Sequence, residues 1–274
     1  MKIYISADIE GVGCVAHSEQ SSVGGREYEV ARRLMTAEVN AAVRGAFDAG
    51  ATAVTVADSH NVGLNLLVEE IDERAELIIG NPRPLSMMEG IAEGYDAAGF
   101  VGYHAAAGTP DSSIVHIFHG RVAEVALNGI RVGEIGFNAL LAGHYGVPVV
   151  LMTGDAAACA EARDLLGDLE TVTVKEGIGS YAARCLHPAV CQRRIYDGAV
   201  RAFSRIADLA PFRLEGPVTL TMRLTTASGA DRAMRLPGTV RTDPTAVRWE
   251  GPDILEAFRA FNAMADLVEL TRFL

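Results

Sequence analysis

Positive charge is scarce in this 274-residue chain. Against 35 aspartates and glutamates stand 24 lysines and arginines, for a net charge of −11 and a pI near 5.1. That balance excludes a basic face for nucleic acid or anionic membrane as an organising feature. The one arginine cluster, Arg193, Arg194 and Arg201, reads as the solvated side of a helix. Cysteine is also sparse. Cys14, Cys159, Cys185 and Cys191 form no CxxC pair and no ligand spacing, which argues for free thiols over disulfides or thiolate zinc. No uncharged run approaches the roughly 18 residues that a membrane-spanning helix needs. Residue 1 leads straight into an apolar strand without a leader pattern, so a cytoplasmic protein is expected. There is no G-x-S-x-G elbow and no HExxH helix, which leaves serine-hydrolase and common zinc-protease chemistry without support. Internal repeats and low-complexity segments are missing as well. With 49% hydrophobic and 22% charged residues, the chain suits one or two globular domains with a sizeable core.

What is present is an alternation of strands and helices. The apolar run Ile3-Tyr4-Ile5 predicts a first strand, and Ala31, Met35, Val39, Ala42 and Ala46 recur at helical spacing until Asp48-Ala49-Gly50. Strands follow at 54–58, 77–79, 99–104 and 147–152, with a short helix near 86–92. The order implies an α/β fold, a mostly parallel sheet with helices on both faces. Residues 122–132 interrupt it with an Asn128-Gly129 hairpin signal, because that pair accepts the positive φ of a type I′ turn. Glu134 then opens a helix over 135–143. After a long helix over 188–209 the pattern changes to the apolar-polar alternation of Val218 to Leu224, as in a half-exposed antiparallel strand. The expected division is an α/β metal-binding catalytic domain over 1–210 and a smaller C-terminal α+β module over 211–274, closed by a helix with the stripe Ile254, Phe258, Phe261, Ala265 and Val268.

The chemistry gathers at strand ends. Asp8 and Glu10, two residues apart, are expected on one face, where like charges need a cation or a shared proton. His60 and His104 end two further strands, and ligands in open α/β sheets bind beyond such carboxyl ends. Asp8, Glu10, His60, His104 and Glu134 are ligands that zinc and its neighbours accept. Three protein ligands suffice for one catalytic zinc, so five suggest two metals sharing a carboxylate, with Asp8 as the natural bridge. Each has a bland alternative: solvated loop acids for Asp8 and Glu10, hydrogen-bonded structural histidines for His60 and His104, and dipole preference at a helix start for Glu134. His116 and His119 lie where a proton shuttle or a substrate-orienting group would, or are surface histidines. Asp58 could recognise a substrate amino group or orient His60. Gly11-Val12-Gly13-Cys14-Val15-Ala16 matches the dinucleotide fingerprint G-x-G-x-x-A. However, the next acid-ending strand comes too late, and two carboxylates precede the glycines. A nucleotide- or metabolite-binding module therefore stands as the non-catalytic alternative, and a metal-dependent amidase or phosphoesterase as the catalytic one.

At these residues the sequence resembles the D-aminopeptidase family of the DppA type, the M55 metallopeptidases. The matching segments are Ser6-Ala7-Asp8-Ile9-Glu10-Gly11, Asp58-Ser59-His60, Gly102-Tyr103-His104-Ala105, Gly108-Thr109-Pro110 followed by His116, and Val132 to Asn138. Their order and intervals span essentially the whole chain. The resemblance implies Asp8 bridging two zinc ions, Glu10 and His60 completing one site, His104 and Glu134 the other, and His116 as catalytic histidine. It implies a short-peptide substrate with an N-terminal D-amino acid such as D-Ala. It also implies a homo-oligomer, the ring decamer of the family. His119, so close behind His116, departs from the pattern and bears on which histidine is catalytic.

Overall fold

The computed structural model describes residues 1–269. In chain order the first half runs β1 (Lys2–Ala7), α1 (Ser18–Ser21), α2 (Tyr28–Asp48), β2 (Ala53–Asp58), β3 (Ala75–Ile78), β4 (Ala97–Tyr103), β5 (Val122–Leu127), β6 (Ile130–Val132) and α3 (Glu134–His144). The second half runs β7 (Val149–Asp155), α4 (Ala156–Leu166), β8 (Glu170–Gly179), β9 (Ala182–Cys185), α5 (Pro188–Ser204), β10 (Val218–Leu224), α6 (Ala227–Ala233), β11 (Val240–Asp243), β12 (Ala246–Gly251) and α7 (Ile254–Glu269).

A seven-stranded sheet in the order β3-β2-β1-β4-β7-β8-β9 is parallel throughout except for its edge, where β9 turns back on β8. Its central strands are buried along almost their whole length, which is why they read as unbroken apolar runs. On one face α2 and α5 lay Ala31, Met35, Val39, Ile195 and Ala199 against Ile3, Ile5, Val54 and Val56. On the other, α3 and α7 share a core with β4 and with a second sheet, through Phe137, Leu140, Phe258, Phe261, Phe100, Val125, Leu220 and Val247.

That second sheet is antiparallel, in the order β11-β12-β10-β5-β6. It draws on strands from both sides of residue 211, where the sequence changes character: β10 pairs with β5 from Leu220–Leu127 onward. Asn128 (φ 50°) and Gly129 (φ 82°) form the expected hairpin turn, and Asn128 also exchanges hydrogen bonds with the backbone of Thr219. Two elements are shorter than their sequence suggests. The helix expected near 86–92 is a pair of 3-10 turns, Ser86–Met88 and Ile91–Glu93, divided at Gly90 in a left-handed conformation. The long helix ends at Ser204, and a separate 3-10 turn covers Ile206–Asp208. Among the described residues no helix is long and apolar enough to cross a membrane.

Candidate metal centre

Beyond the carboxyl ends of β1, β2 and β4 the chain turns sharply, and each turn presents one or two of the expected ligands. Asp8 lies one residue past β1, its amide donating to the Val101 carbonyl at 2.8 Å. The chain then bends, with Val12 N–H donating to the Ile9 carbonyl at 3.2 Å. Asp8 and Glu10 thus face the same way through a turn, and the strand alternation inferred from their spacing stops at Ala7. The turn rests on the backbone of β4: a Cβ on Gly11 would stand 1.9 Å from the Tyr103 carbonyl oxygen. At Gly13 a Cβ would meet Cys191 Sγ at 2.7 Å and Glu38 Oε1 at 2.9 Å. The two glycines of the apparent dinucleotide fingerprint therefore serve close packing of a loop, and no helix opens there to receive a pyrophosphate.

His60 Nδ1 stands 3.2 Å from Asp8 Oδ1 and 3.0 Å from Glu10 Oε2, while its other ring nitrogen is placed to donate to the Ser21 carbonyl at 2.7 Å. His104 Nε2 faces Asp8 Oδ2 at 3.7 Å and Glu134 Oε2 at 3.4 Å, with Nδ1 on the Ala105 carbonyl at 2.9 Å. His116 repeats the arrangement: Nδ1 is on the Ile114 carbonyl at 2.9 Å and Nε2 is 3.8 Å from Glu134 Oε1. Its ring stacks on that of His104 with centroids 4.3 Å apart. In each histidine one nitrogen is held by a backbone carbonyl, which turns the lone pair of the other toward the carboxylates, the orientation that metal-ligating histidines adopt. Asp8 Oδ2, Glu10 Oε2 and His104 Nε2 are buried and complete no hydrogen bond, with only the imidazole–carboxylate approaches of 3.0–3.7 Å to offset their burial. Unpaired buried polar atoms are costly, and three converging on one point fit a bound cation.

The electrostatics agree. Burial, with Glu10 adding to it, pushes the Asp8 carboxyl up to about 7. Burial opposes charge on Glu10 too, but His60 beside it holds that carboxyl well below the ordinary range. Burial disfavours a charged His104, and the Glu134 carboxylate overrides it, raising the imidazole to about 10. The buried carboxylates therefore favour positive charge beside them, which is what a divalent cation supplies. His116 differs: burial and the neighbouring His104 lower it, so it is neutral near pH 7.

His116 is carried by a constrained loop. Ile114 (φ 57°) and Phe118 (φ 59°) flank it in the left-handed region, at a cost on the order of 1–3 kcal/mol each. The Phe118 amide donates to Glu134 Oε1 at 2.6 Å, Ile114 N–H to the Ser180 carbonyl at 2.9 Å, and Ser112 Oγ to Asp155 Oδ2 at 2.5 Å. His119 lines the same cavity, but both its nitrogens are engaged, one accepting from Arg121 N–H at 3.2 Å and the other meeting the Ala265 carbonyl at 3.1 Å. Asp58 is fully buried, and its oxygens take the amides of Asn65 and Leu66 and the Asn65 side chain. It therefore braces the turn carrying His60 and offers nothing to a substrate. The open side of the cluster is a cavity of about 610 Å³, lined by Asp8, Glu10, His60, His116, Glu134 and, from α7, Asp266. Its size suits a small ligand.

Three ionisable residues around the site escape a reading of spacing: the buried Glu38 and Lys175 and the half-buried Glu161. Their signal was a charge out of place, Glu38 on the apolar stripe of α2 and Lys175 directly after Val172-Thr173-Val174.

Compared with known proteins, residues 1–263 match a family model described as D-aminopeptidase. A D-aminopeptidase of Bacillus subtilis (strain 168) is 36% identical over 274 residues, covering both chains completely. The solved structure of the Zn-dependent D-aminopeptidase DppA from Bacillus subtilis, described as a self-compartmentalizing protease, superposes with a TM-score of 0.97 over the full length of both chains at 36% identity.

Proposed function

The chain belongs to the D-aminopeptidase family of M55 peptidases, and from that membership we propose that it is a dinuclear zinc aminopeptidase acting on short peptides with an N-terminal D-residue such as D-Ala. One observation supports the metal reading above the others: Asp8, Glu10 and His104 are buried with ligand atoms within 4.8 Å of one another, and Asp8 Oδ2, Glu10 Oε2 and His104 Nε2 complete no hydrogen bond there. Glu10 and His60 would hold one zinc and His104 and Glu134 the other, with Asp8, which faces both histidines, between them. Zinc supplies Lewis acidity for the scissile carbonyl and acidifies water near neutral pH.

The chain's own residues supply the rest. His116 is fixed at Nδ1 by Ile114 and neutral, so Nε2 is the atom free to take a proton and return it to the leaving amine. The His116 loop and α7 wall the cavity and limit it to small substrates. The proposal extends to a homo-oligomer, a ring of ten in the cytoplasm. The self-compartmentalizing relative and the four free thiols support it. The deciding experiment measures zinc content of the purified protein and its hydrolysis of D-Ala-D-Ala, L-Ala-L-Ala, D-Ala-amide and a phosphoester after metal restoration. About two zinc per chain and fastest cleavage of the D-peptide are expected. Phosphoester cleavage alone, or full activity after zinc removal, would defeat the proposal.

A further inference from the structure

Lys175 on β8 is 1% exposed, does not line the cavity and bonds backbone in place of the proposed ligands' side chains. Its Nζ donates to three backbone carbonyls, those of Glu10, Val12 (at 3.2 Å) and Val15. An ammonium has three protons, so all are engaged. These carbonyls lie in the loop after β1, beyond the β1–β2 and β1–β4 ladders that end at Ala7. The acids facing the ammonium come from three elements: Asp155 at the end of β7, Glu38 on α2 and Glu10 itself. Asp155 in turn takes Ser112 Oγ from the His116 loop. The opposite half of the centre hangs from another anchor, since Glu161 on α4 accepts the Ala106 amide at 2.7 Å, two residues past His104.

We propose that Lys175 is the positioning residue of the Glu10 half of the centre: by gathering the Glu10, Val12 and Val15 carbonyls on one buried ammonium it fixes the Glu10 carboxylate against His60 and sets the metal affinity of that half alone. The proposal rests on the two-zinc reading.

The test uses full-length metal-stripped protein, titrated with Zn²⁺ against a chromophoric chelator, with thermal melts of the same samples. Wild type, Lys175→Met, Lys175→Arg, Glu10→Gln and Glu10→Gln/Lys175→Met are compared. Groups that support metal ligands typically contribute about 10–100-fold in affinity. Lys175→Met should therefore weaken one zinc site at least about tenfold and leave the other within about twofold. In the Glu10→Gln background it should add nothing, because the residue it positions is already disabled. Lys175→Arg should follow Lys175→Met, since a planar fork cannot aim three donors at three converging carbonyls. Wild-type affinities in either variant, equal weakening of both sites, or a further loss on top of Glu10→Gln overturns the proposal. So does failure of every Lys175 variant to fold, which would make the lysine a requirement of the fold and not of the site. A wild-type stoichiometry of one zinc would instead refute the two-metal reading, and the Glu10→Gln comparison at that single site would still decide the role of Lys175.

Discussion

Two residues separate His116 from His119, and hydrogen bonds divide them. Both nitrogens of His119 are occupied, by Arg121 N–H and the Ala265 carbonyl, whereas His116 keeps Nε2 free toward Glu134. His116→Ala is therefore expected to retain zinc and fold while losing about 10²–10⁴ in kcat, and His119→Ala to stay within a few-fold of wild type. Steady-state kinetics beside metal analysis check both, and the reverse ranking would transfer the chemistry to His119. Glu38 makes a different kind of prediction. Burial pushes its carboxyl up to about 7 from an ordinary 4.5. Between those values the unfolded chain has released a proton that the fold retains, so stability falls as pH rises through that window. The shift corresponds to about 3 kcal/mol at pH 8. Glu38→Gln, uncharged throughout, should match wild type near pH 5 and melt several degrees above it at pH 8, whereas a pH-independent difference would contradict the assignment. The five candidate ligands were legible because each closes or follows an apolar run. The anchors Lys175 and Glu161 were not, because their partners are backbone atoms 165 and 55 residues distant in sequence.

Among the elements, the turn after β1 bears most on the site. It sits so closely on β4 that Gly11 admits no side chain, a Cβ there meeting the Tyr103 carbonyl oxygen at 1.9 Å. Gly11→Ala should lift Asp8 and Glu10 away from the histidines, and zinc content after purification should drop well below wild type even if the melt stays cooperative. Unchanged zinc would mean that the loop can relax around the methyl. The continuous apolar strands, α2 and the Asn128-Gly129 hairpin were legible because one local signal fixes each. By contrast, the segment between Asp155 and Pro188 holds α4, β8 and β9, none of which the sequence announced. β8 is mixed in burial along its length and ends in an antiparallel edge, so its polarity resembles that of a loop. The twin 3-10 turns at 86–93 read as one helix because Gly90, at φ 89°, breaks them without changing the apolar spacing.

For the molecule as a whole, the second sheet carries a consequence in the order of chain growth. β5 and β6 leave the ribosome long before β10, yet β5 finds its second partner only there, with Asn128 and Thr219 91 positions apart. Until then the nascent chain carries a two-stranded hairpin with an unpaired edge, and the Val125–Leu127 side lacks the cover of α7. Isolated hairpins are marginal in water and open edges invite association. Glu134 lies two residues past Val132, the end of β6, so the proposed second zinc site is expected to mature only once β10 has paired with β5. A chain stopped at residue 210 should accumulate in the insoluble fraction and, if kept soluble, give a non-cooperative melt. A soluble, cooperatively melting fragment would mean that the α/β part closes its own core. Any cell that makes this protein therefore has to shield a sticky, half-built sheet through the 91 positions that separate Asn128 from Thr219, which at about 5–20 residues per second is a matter of seconds in which a chaperone has its opportunity.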